Sequence, residues 1–349
     1  MKRIIKTITV LLLLTACSKD HTDILEGVTR QASVTYLVTP NGLGDNGYND
    51  ASAQGIFSFI IETFTPIHML QPKDTTQAEQ MYRQWLTDNA DNDSAVLILG
   101  SSVYEPMARR TPVTLSGKGS RVLLFESNAR IDGLSTVKVN RYGASYLCGA
   151  MSGGFDALIL SAVRGNPLLE ESIAGFMAGY NAHQKEGKNT QIMYLADDQS
   201  GWAMPDSVYR IMYKRIRSHS PYREMIFPLL GGSDIGVLRA MNDEQNNLGL
   251  VIGMDVNKSA FSPRVPFSMV IETGQILHDY LMDWLRGHDW PACRTIGMSE
   301  GGAQIVLHHS FYRISTLTDD EYRDPKTFQN LYDRFIDEAL IKEQEYENN

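Results

Sequence analysis

Short, unbroken apolar runs followed by stretches of helical period recur along this chain, and that alternation leaves few folds open. Ala95–Leu99 (Ala-Val-Leu-Ile-Leu) carries no polar residue, and Val122–Phe125 is a second such run. A strand that is apolar on both faces must be covered on both, which happens in parallel sheets flanked by helices. Upstream, Ser33–Val38 is β-rich and runs into Pro40-Asn41-Gly42, the chemistry of a turn. Asp50–Phe64 then places Ala53, Ile56, Phe57, Ile60, Ile61 and Phe64 at helical spacing. Ile67–Leu70 reads as a short strand, and Thr76–Asn89 as a helix with Met81, Trp85 and Leu86 inward.

The pattern then restarts. Tyr142–Gly153 reads as a helix, Ala157–Ala162 as a buried strand, and Glu170–Gln184 as a helix with Ile173, Phe176, Met177 and Tyr180 on one face. Gln191–Ala196, Glu224–Leu229 and Gly249–Gly253 follow as strands separated by helices. A long helix is expected over Glu272–Arg286, a strand-rich stretch over Ile305–Ile314, and a final amphipathic helix carrying Phe328, Leu331, Tyr332, Phe335, Ile336, Ala339 and Leu340. The expected fold is α/β, two doubly wound lobes: residues 32–139 plus 271–290 in the first, 140–270 plus 291–349 in the second. Open α/β sheets bind ligands beyond the carboxyl ends of their strands, so two such lobes enclose a cleft, and a hinge can close it.

The N-terminus has a different logic. Lys2, Arg3 and Lys6 precede the apolar stretch Ile8–Leu14, and Leu14-Thr15-Ala16-Cys17 follows. A charged start, a short apolar core and small residues before a cut site make residues 1–16 an export signal. The apolar core is too short to span a bilayer, which takes about 20 residues. The Cys directly after the small pair makes it a lipoprotein signal, with Cys17 acylated and 17–31 a polar tether to the cell envelope; acyl chains anchor without a transmembrane helix. Removing the signal leaves 29 basic against 41 acidic residues, a net charge of −12. Such a chain is a poor partner for nucleic acid or for anionic lipid by charge. Cys148 and Cys293 remain, expected as two buried free thiols.

The segment Asn41–Asp50 (Asn-Gly-Leu-Gly-Asp-Asn-Gly-Tyr-Asn-Asp) directly follows the first strand. Gly42, Gly44 and Gly47 fit a dinucleotide-binding spacing, but Asp45 would repel the phosphates and the second strand ends His68-Met69-Leu70-Gln71 without the acid that holds a ribose. Asp45, Tyr48, Asn49 and Asp50 offer carboxylates, an amide and a ring, which suits a neutral polar ring bearing hydroxyls. The competing reading is that Asp50 or Asn49 caps the next helix and Tyr48 staples it. Gly297-Met298-Ser299-Glu300-Gly301 has nucleophile-elbow spacing, yet strand-like residues follow where a helix should, so an enzyme using Ser299 with His308 or His309 is not expected. No Cys/His cluster with metal spacing occurs, and no metal or cofactor is expected.

Gly44–Asp50 resembles the Asp-x-Ser-Phe-Asn signature of the basic membrane protein family, the nucleoside-binding lipoproteins of ABC importers. Further segments are similar in the same order: Arg141–Ala150 to its Glu-x-Ala-Tyr-Leu-Ala-Gly helix, Ile173–Gly179 to its Phe-x-x-Gly-Phe-x-Ala-Gly helix, Gly231–Val237 to its glycine-rich turn, Gly253–Val256 to its Gly-x-Asp turn, and Gly297–Gly302 to its closing turn. The resemblance implies a type I periplasmic-binding-protein fold holding a purine nucleoside between two rings. It makes Tyr48 and Trp202 the rings, Asn49 the reader of the base edge, and Asp255 the binder of ribose hydroxyls. It also implies that Gly232 opens backbone amides to the ligand, and puts Glu126 or Ser127 where the family has a ribose-binding Asp. Trp202 as a loop aromatic and Asp255 as a turn former are the alternatives. The chain departs at Tyr48 (Phe in the family), at Gly47 (Ser) and after Ser268-Met269-Val270, where Ile271-Glu272 replaces a Lys. The expected function is delivery of a nucleoside-like solute to an ABC permease, with a non-transport sensor or surface module as the alternative.

Overall fold

The computed structural model describes residues 32–219, 222–244, 248–308 and 326–348. The signal, Cys17, the tether and positions 309–314 of the expected strand-rich stretch lie outside the described residues.

The first lobe is built on a sheet of six parallel strands. In chain order they are β1 (Ser33–Leu37), β2 (Ile67–Leu70), β3 (Ala95–Leu99), β4 (Arg121–Phe125), β5 (Ser135–Val139) and β12 (Cys293–Ile296), arranged β12-β5-β4-β3-β1-β2. β3 is buried at all five positions, as its unbroken apolar run requires. Helix α1 (Tyr48–Thr63) links β1 to β2; α2 (Thr75–Asp88) and α3 (Glu105–Arg110) follow β2 and β3. Asp74 caps α2 by accepting from the Gln77 N–H at 2.8 Å.

The second lobe carries α4 (Tyr142–Met151), β6 (Asp156–Val163), α5 (Pro167–His183), β7 (Thr190–Ala196), α6 (Pro205–Ser218), β8 (Glu224–Leu229), α7 (Asp234–Asp243) and β9 (Leu250–Val251), with parallel strands ordered β7-β6-β8-β9. After Ile252 the chain continues as β10 (Gly253–Asp255), which pairs with β11 (Phe267–Ile271); β13 (Ala303–Leu307) adds to β11 antiparallel. Helix α8 (Thr273–Leu285) crosses back and packs on α1, and α9 (Thr327–Glu347) packs on α4. No helix among the described residues is long and apolar enough to cross a membrane.

The chain therefore passes between lobes three times, at 140–141, 272 and 297–302. One boundary differs from expectation. β12 pairs with β5 through Cys293↔Thr136 to Ile296↔Val139, so the segment after 290 begins in the first lobe. Cys-Arg-Thr-Ile is a short edge strand with a charged residue, and nothing in its pattern names the sheet it joins. The thiols differ too: both are free, but only Cys148 is buried, and Cys293 is partly exposed.

Helix α4 packs closely on α5. A Cβ at Gly149 would strike the carbonyl oxygen of Phe176, and one at Gly179 that of Tyr146. Two segments that carried the family resemblance are thus helix-packing surfaces, where glycine permits backbone-to-backbone approach. Asn166 starts α5 by accepting from the N–H groups of Leu168 (3.1 Å) and Leu169 (3.3 Å), with Pro167 at the first helical position. Gly179→Ala is expected to destabilise the protein by about 1–3 kcal/mol through overpacking. Urea unfolding measures this, and an unchanged midpoint would mean the helices are not in that contact.

Candidate functional site

The loop after β1 is folded around two carboxylates. Asp45 accepts from the backbone N–H groups of Gly47 (2.9 Å), Asn49 (2.9 Å) and Asp50 (3.2 Å), and from Asn49 Nδ2 (3.0 Å). Asp50 reaches back to accept from the Gly44 and Asn46 N–H groups, both at 2.7 Å. Asp45 thus takes two free donors of the first turn of α1, those of Asn49 and Asp50, while Asp50 satisfies the loop before it. The cap is therefore Asp45, outside the helix, and not Asp50 or Asn49. Asn49 is buried, with Oδ1 accepting from Thr39 Oγ1 at 3.0 Å and its amide nitrogen on Asp45. Its side chain positions the loop.

This loop crosses from the first lobe to touch the second. A Cβ at Gly232 would lie 3.2 Å from Asp45 Cβ and 3.5 Å from the Trp202 carbonyl oxygen. A Cβ at Gly47 would lie 3.3 Å from Asp255 Oδ2. Lys258 Nζ donates to the Asn46 carbonyl oxygen at 2.6 Å and pairs with Asp234 Oδ2 at 3.0 Å. Gly232 thus gives room to a facing loop. Lys258 is only 2% exposed and ties the lobes together.

On the first lobe, Glu126 and Arg141 form a buried two-pronged ion pair, with Arg141 Nη2 to Oε1 at 2.6 Å and Nη1 to Oε2 at 2.9 Å. Arg141 Nη1 also donates to the Val139 carbonyl at 3.0 Å. Burial would depress the guanidinium, but Glu126 reverses this and raises it. Both Glu126 oxygens are committed to Arg141, so Glu126 is a structural partner rather than an open hydroxyl acceptor. Ser127 turns away, donating to Glu105 Oε2 at 2.7 Å and accepting from the Ala129 N–H at 3.1 Å.

Tyr48 begins α1, partly exposed, and its hydroxyl donates to the Gly100 carbonyl at 2.8 Å. Burial first and Glu126 second push its pKa far up, so the ring stays a neutral phenol. Trp202 lies in the 3₁₀ turn Gln199–Ala203 after β7, with Nε1 donating to Gln199 Oε1 at 2.8 Å and its ring against Gly231. Ser233 fixes that turn to the next one, donating to the Gly201 carbonyl at 2.8 Å and accepting from the Met204 N–H at 2.7 Å.

Asp255 stands apart. Its carboxylate makes no hydrogen bond among the described residues, although it is only partly exposed. Burial raises its pKa, opposed by Lys258 and Arg141 and reinforced by Asp45 and Glu126. Its backbone is left-handed at φ 66°, and so are Asn46 at φ 48° and Glu126 at φ 64°, all at this junction. Non-glycine residues held there concentrate at functional sites. Burial likewise pushes Asp234 up to about 7 against the pull of Lys258.

The geometry brings Asp45, Gly232 and Trp202 together on one side, and Tyr48, Glu126, Arg141 and Asp255 on the other. Sequence reasoning did not pick out Arg141, Asp234 or Lys258 as site residues. Arg141 had a usable signal, standing two residues after β5. Lys258, in a polar turn, had none. Ser299 lies in a 3₁₀ turn before β13, without the helix a nucleophile elbow needs, and His308 Nδ1 lies 2.9 Å from the Val265 carbonyl oxygen. No group of three His, Cys, Asp or Glu among the described residues is placed to hold a metal.

The architecture is a type I periplasmic-binding-protein fold, α/β with parallel sheets in two lobes. The structure is similar to an ABC-transporter solute-binding protein from Aeropyrum pernix K1, with TM-score 0.70 and 13% identity over 90% of each chain. It is also similar to a transcriptional activator from Bacillus halodurans, with TM-score 0.62 and 11% identity over 87% of this chain and 97% of that one. A solute-binding protein from Burkholderia graminis in complex with D-arabinose matches with TM-score 0.56 and 16% identity over 79% of this chain and 95% of that one. No protein-family model matches the sequence, and neither does any curated protein.

Arg141→Met leaves Glu126 buried without its partner and is expected to cost about 3–5 kcal/mol. The double variant Arg141→Met/Glu126→Gln should recover much of that loss in urea unfolding. Additive losses would mean the pair is not coupled.

Proposed function

We propose that this chain is a solute-binding lipoprotein, held in the cell envelope by acylated Cys17, that closes its two lobes on a nucleoside-like molecule and presents it to an ABC permease. The observation that carries this reading is Asp255, a carboxylate without a hydrogen-bond partner among the described residues, set in strained backbone where the lobes meet. A carboxylate can accept two hydroxyl donors at once, as a ribose or free sugar presents them. Tyr48 supplies a neutral ring beside it, and Trp202 a second one across the junction. The proposed role is binding, and Ser299, in a 3₁₀ turn before β13, lacks the helix of a nucleophile elbow. The fold shared with the Aeropyrum and Burkholderia proteins supports the same class.

The second reading, a sensor or surface module that keeps the fold without transport, has its own support. The Asp45–Asn46 loop is in direct contact with Gly232 and Lys258, so part of the interlobe space is filled by the protein itself. One structural neighbour is a transcriptional activator.

Asp255→Asn separates a binding role from a structural one. Asn tolerates the left-handed backbone and removes a desolvated charge. The variant is expected to melt no lower than the parent, yet to bind its solute about 10- to 100-fold more weakly, the loss of about 1.5–3 kcal/mol of charged hydrogen bonding. Thermal shift with a panel of nucleosides, bases, pentoses and hexoses identifies the solute, since a ligand at 100 times its Kd adds about 2.7 kcal/mol. A shift with sugars alone would replace the nucleoside. No shift with any of them would overturn solute binding and leave the sensor reading.

A further inference from the structure

Helix α1 carries an apolar face that the fold does not use. Phe57, Ile61 and Phe64 follow one another at spacings of four and three residues, and they are 45%, 74% and 84% exposed. Exposed large apolar residues in a row mark an interaction surface, whereas single ones are ordinary. Phe64 closes α1 in a left-handed conformation, φ 56°, which holds its ring out at the corner before β2.

Where that corner lies decides what it meets. α1 starts at the interlobe junction and runs away from it, so its last turn is at the far base of the first lobe. β1 begins at the same base: the Val34 N–H donates to the Pro66 carbonyl at 2.9 Å, two residues beyond Phe64. The chain from Cys17 therefore enters the lobe beside Phe64. The fifteen residues 18–32 extend at most about 54 Å, at about 3.3–3.6 Å each. Helix α8, packed against α1, also ends at this base, with Leu285 43% exposed. Base charges are of both signs: Lys118 and Arg286 are exposed, and so are Asp91 and Asp289.

We propose that Phe57, Ile61 and Phe64 seat the base of the first lobe in the surface of the bilayer that carries Cys17. This rests on the anchoring reading, because a lipid at Cys17 is what confines that end of the lobe near the membrane. The contact is apolar: a chain of net charge −12 after signal removal gains nothing from anionic headgroups, whereas aromatic and aliphatic side chains partition into the interface of any lipid. The anchor supplies the lasting attachment and the stripe sets the orientation, with the interlobe junction facing away from the bilayer.

The test uses the full-length protein matured in cells and reconstituted on phosphatidylcholine vesicles. Mass spectrometry of the Cys17 peptide first establishes whether it is acylated. Phe64→Trp then reports the surface, its signal taken as the difference from the parent with its four Trp. Expected are a shift of the added emission to shorter wavelength on vesicles, quenching when the lipids are brominated, and no change in either at high salt. The variant Phe57→Ser/Ile61→Ser/Phe64→Trp should stay vesicle-bound through its lipid but lose both signals. An unmodified Cys17 would overturn the anchoring reading and the proposal with it. An acylated Cys17 with the introduced indole open to aqueous iodide would overturn the membrane contact alone. Protection of that indole without quenching by brominated lipid would also overturn it, placing a second copy or another protein on the stripe.

Discussion

The buried pair between Glu126 and Arg141 is the fixed point around which the junction of the lobes is arranged. Arg141 is the residue at which the chain first leaves the first lobe, and Glu126 follows β4 directly, so the pair ties a strand end to a crossover. Two charges without water are tolerable only when each saturates the other, and here both oxygens and both terminal nitrogens are used. The consequence is local. Arg141 pairs with Glu126 and also offsets part of the cost of the nearby Asp255 carboxylate. The pair thereby separates residues that hold the scaffold from one that is left open.

The same division runs through the loop between β1 and α1. Asp45, Asn49 and Asp50 look like a binding set because they are polar and follow a strand. Their hydrogen bonds show where that polarity is spent, on the N–H groups at the head of α1 and on one another. A backbone that turns through positive φ at Gly42, Gly44 and Asn46 has many donors to satisfy, and side chains from its own sequence are nearest. The loop then projects across the gap, where Lys258 captures the Asn46 carbonyl.

How much of this was legible beforehand follows from the same physics. Strands buried on both faces announce themselves, and β3, β4, β6 and β8 stand where their apolar runs put them. β12 did not, because an edge strand of four residues has no pattern of its own to place it. The segments Arg141–Ala150 and Ile173–Gly179 carried the resemblance to a family, but what they encode is the contact of α4 with α5, where a side chain on Gly149 or Gly179 has no space. The fold is recognised most easily by residues that pack its own backbone. Asp255 drew attention through its turn, whereas Lys258 and Arg141 depend on pairing across more than ten residues or between lobes, which a linear pattern does not reveal. Saturation of Asp45 and Asn49 is likewise a property of the folded loop, since the same residues in a different turn would be free.

If the two lobes open in solution and close on a solute, the contacts from Asp45 to Gly232 and from Lys258 to Asn46 belong to the closed state. Small-angle X-ray scattering of the purified protein, with and without saturating solute, tests this most directly. A larger radius of gyration is predicted without solute, falling on addition to the value calculated from the closed structure. Identical curves in both states, each already matching the closed structure, would contradict it and make the loop a permanent filling of the cleft.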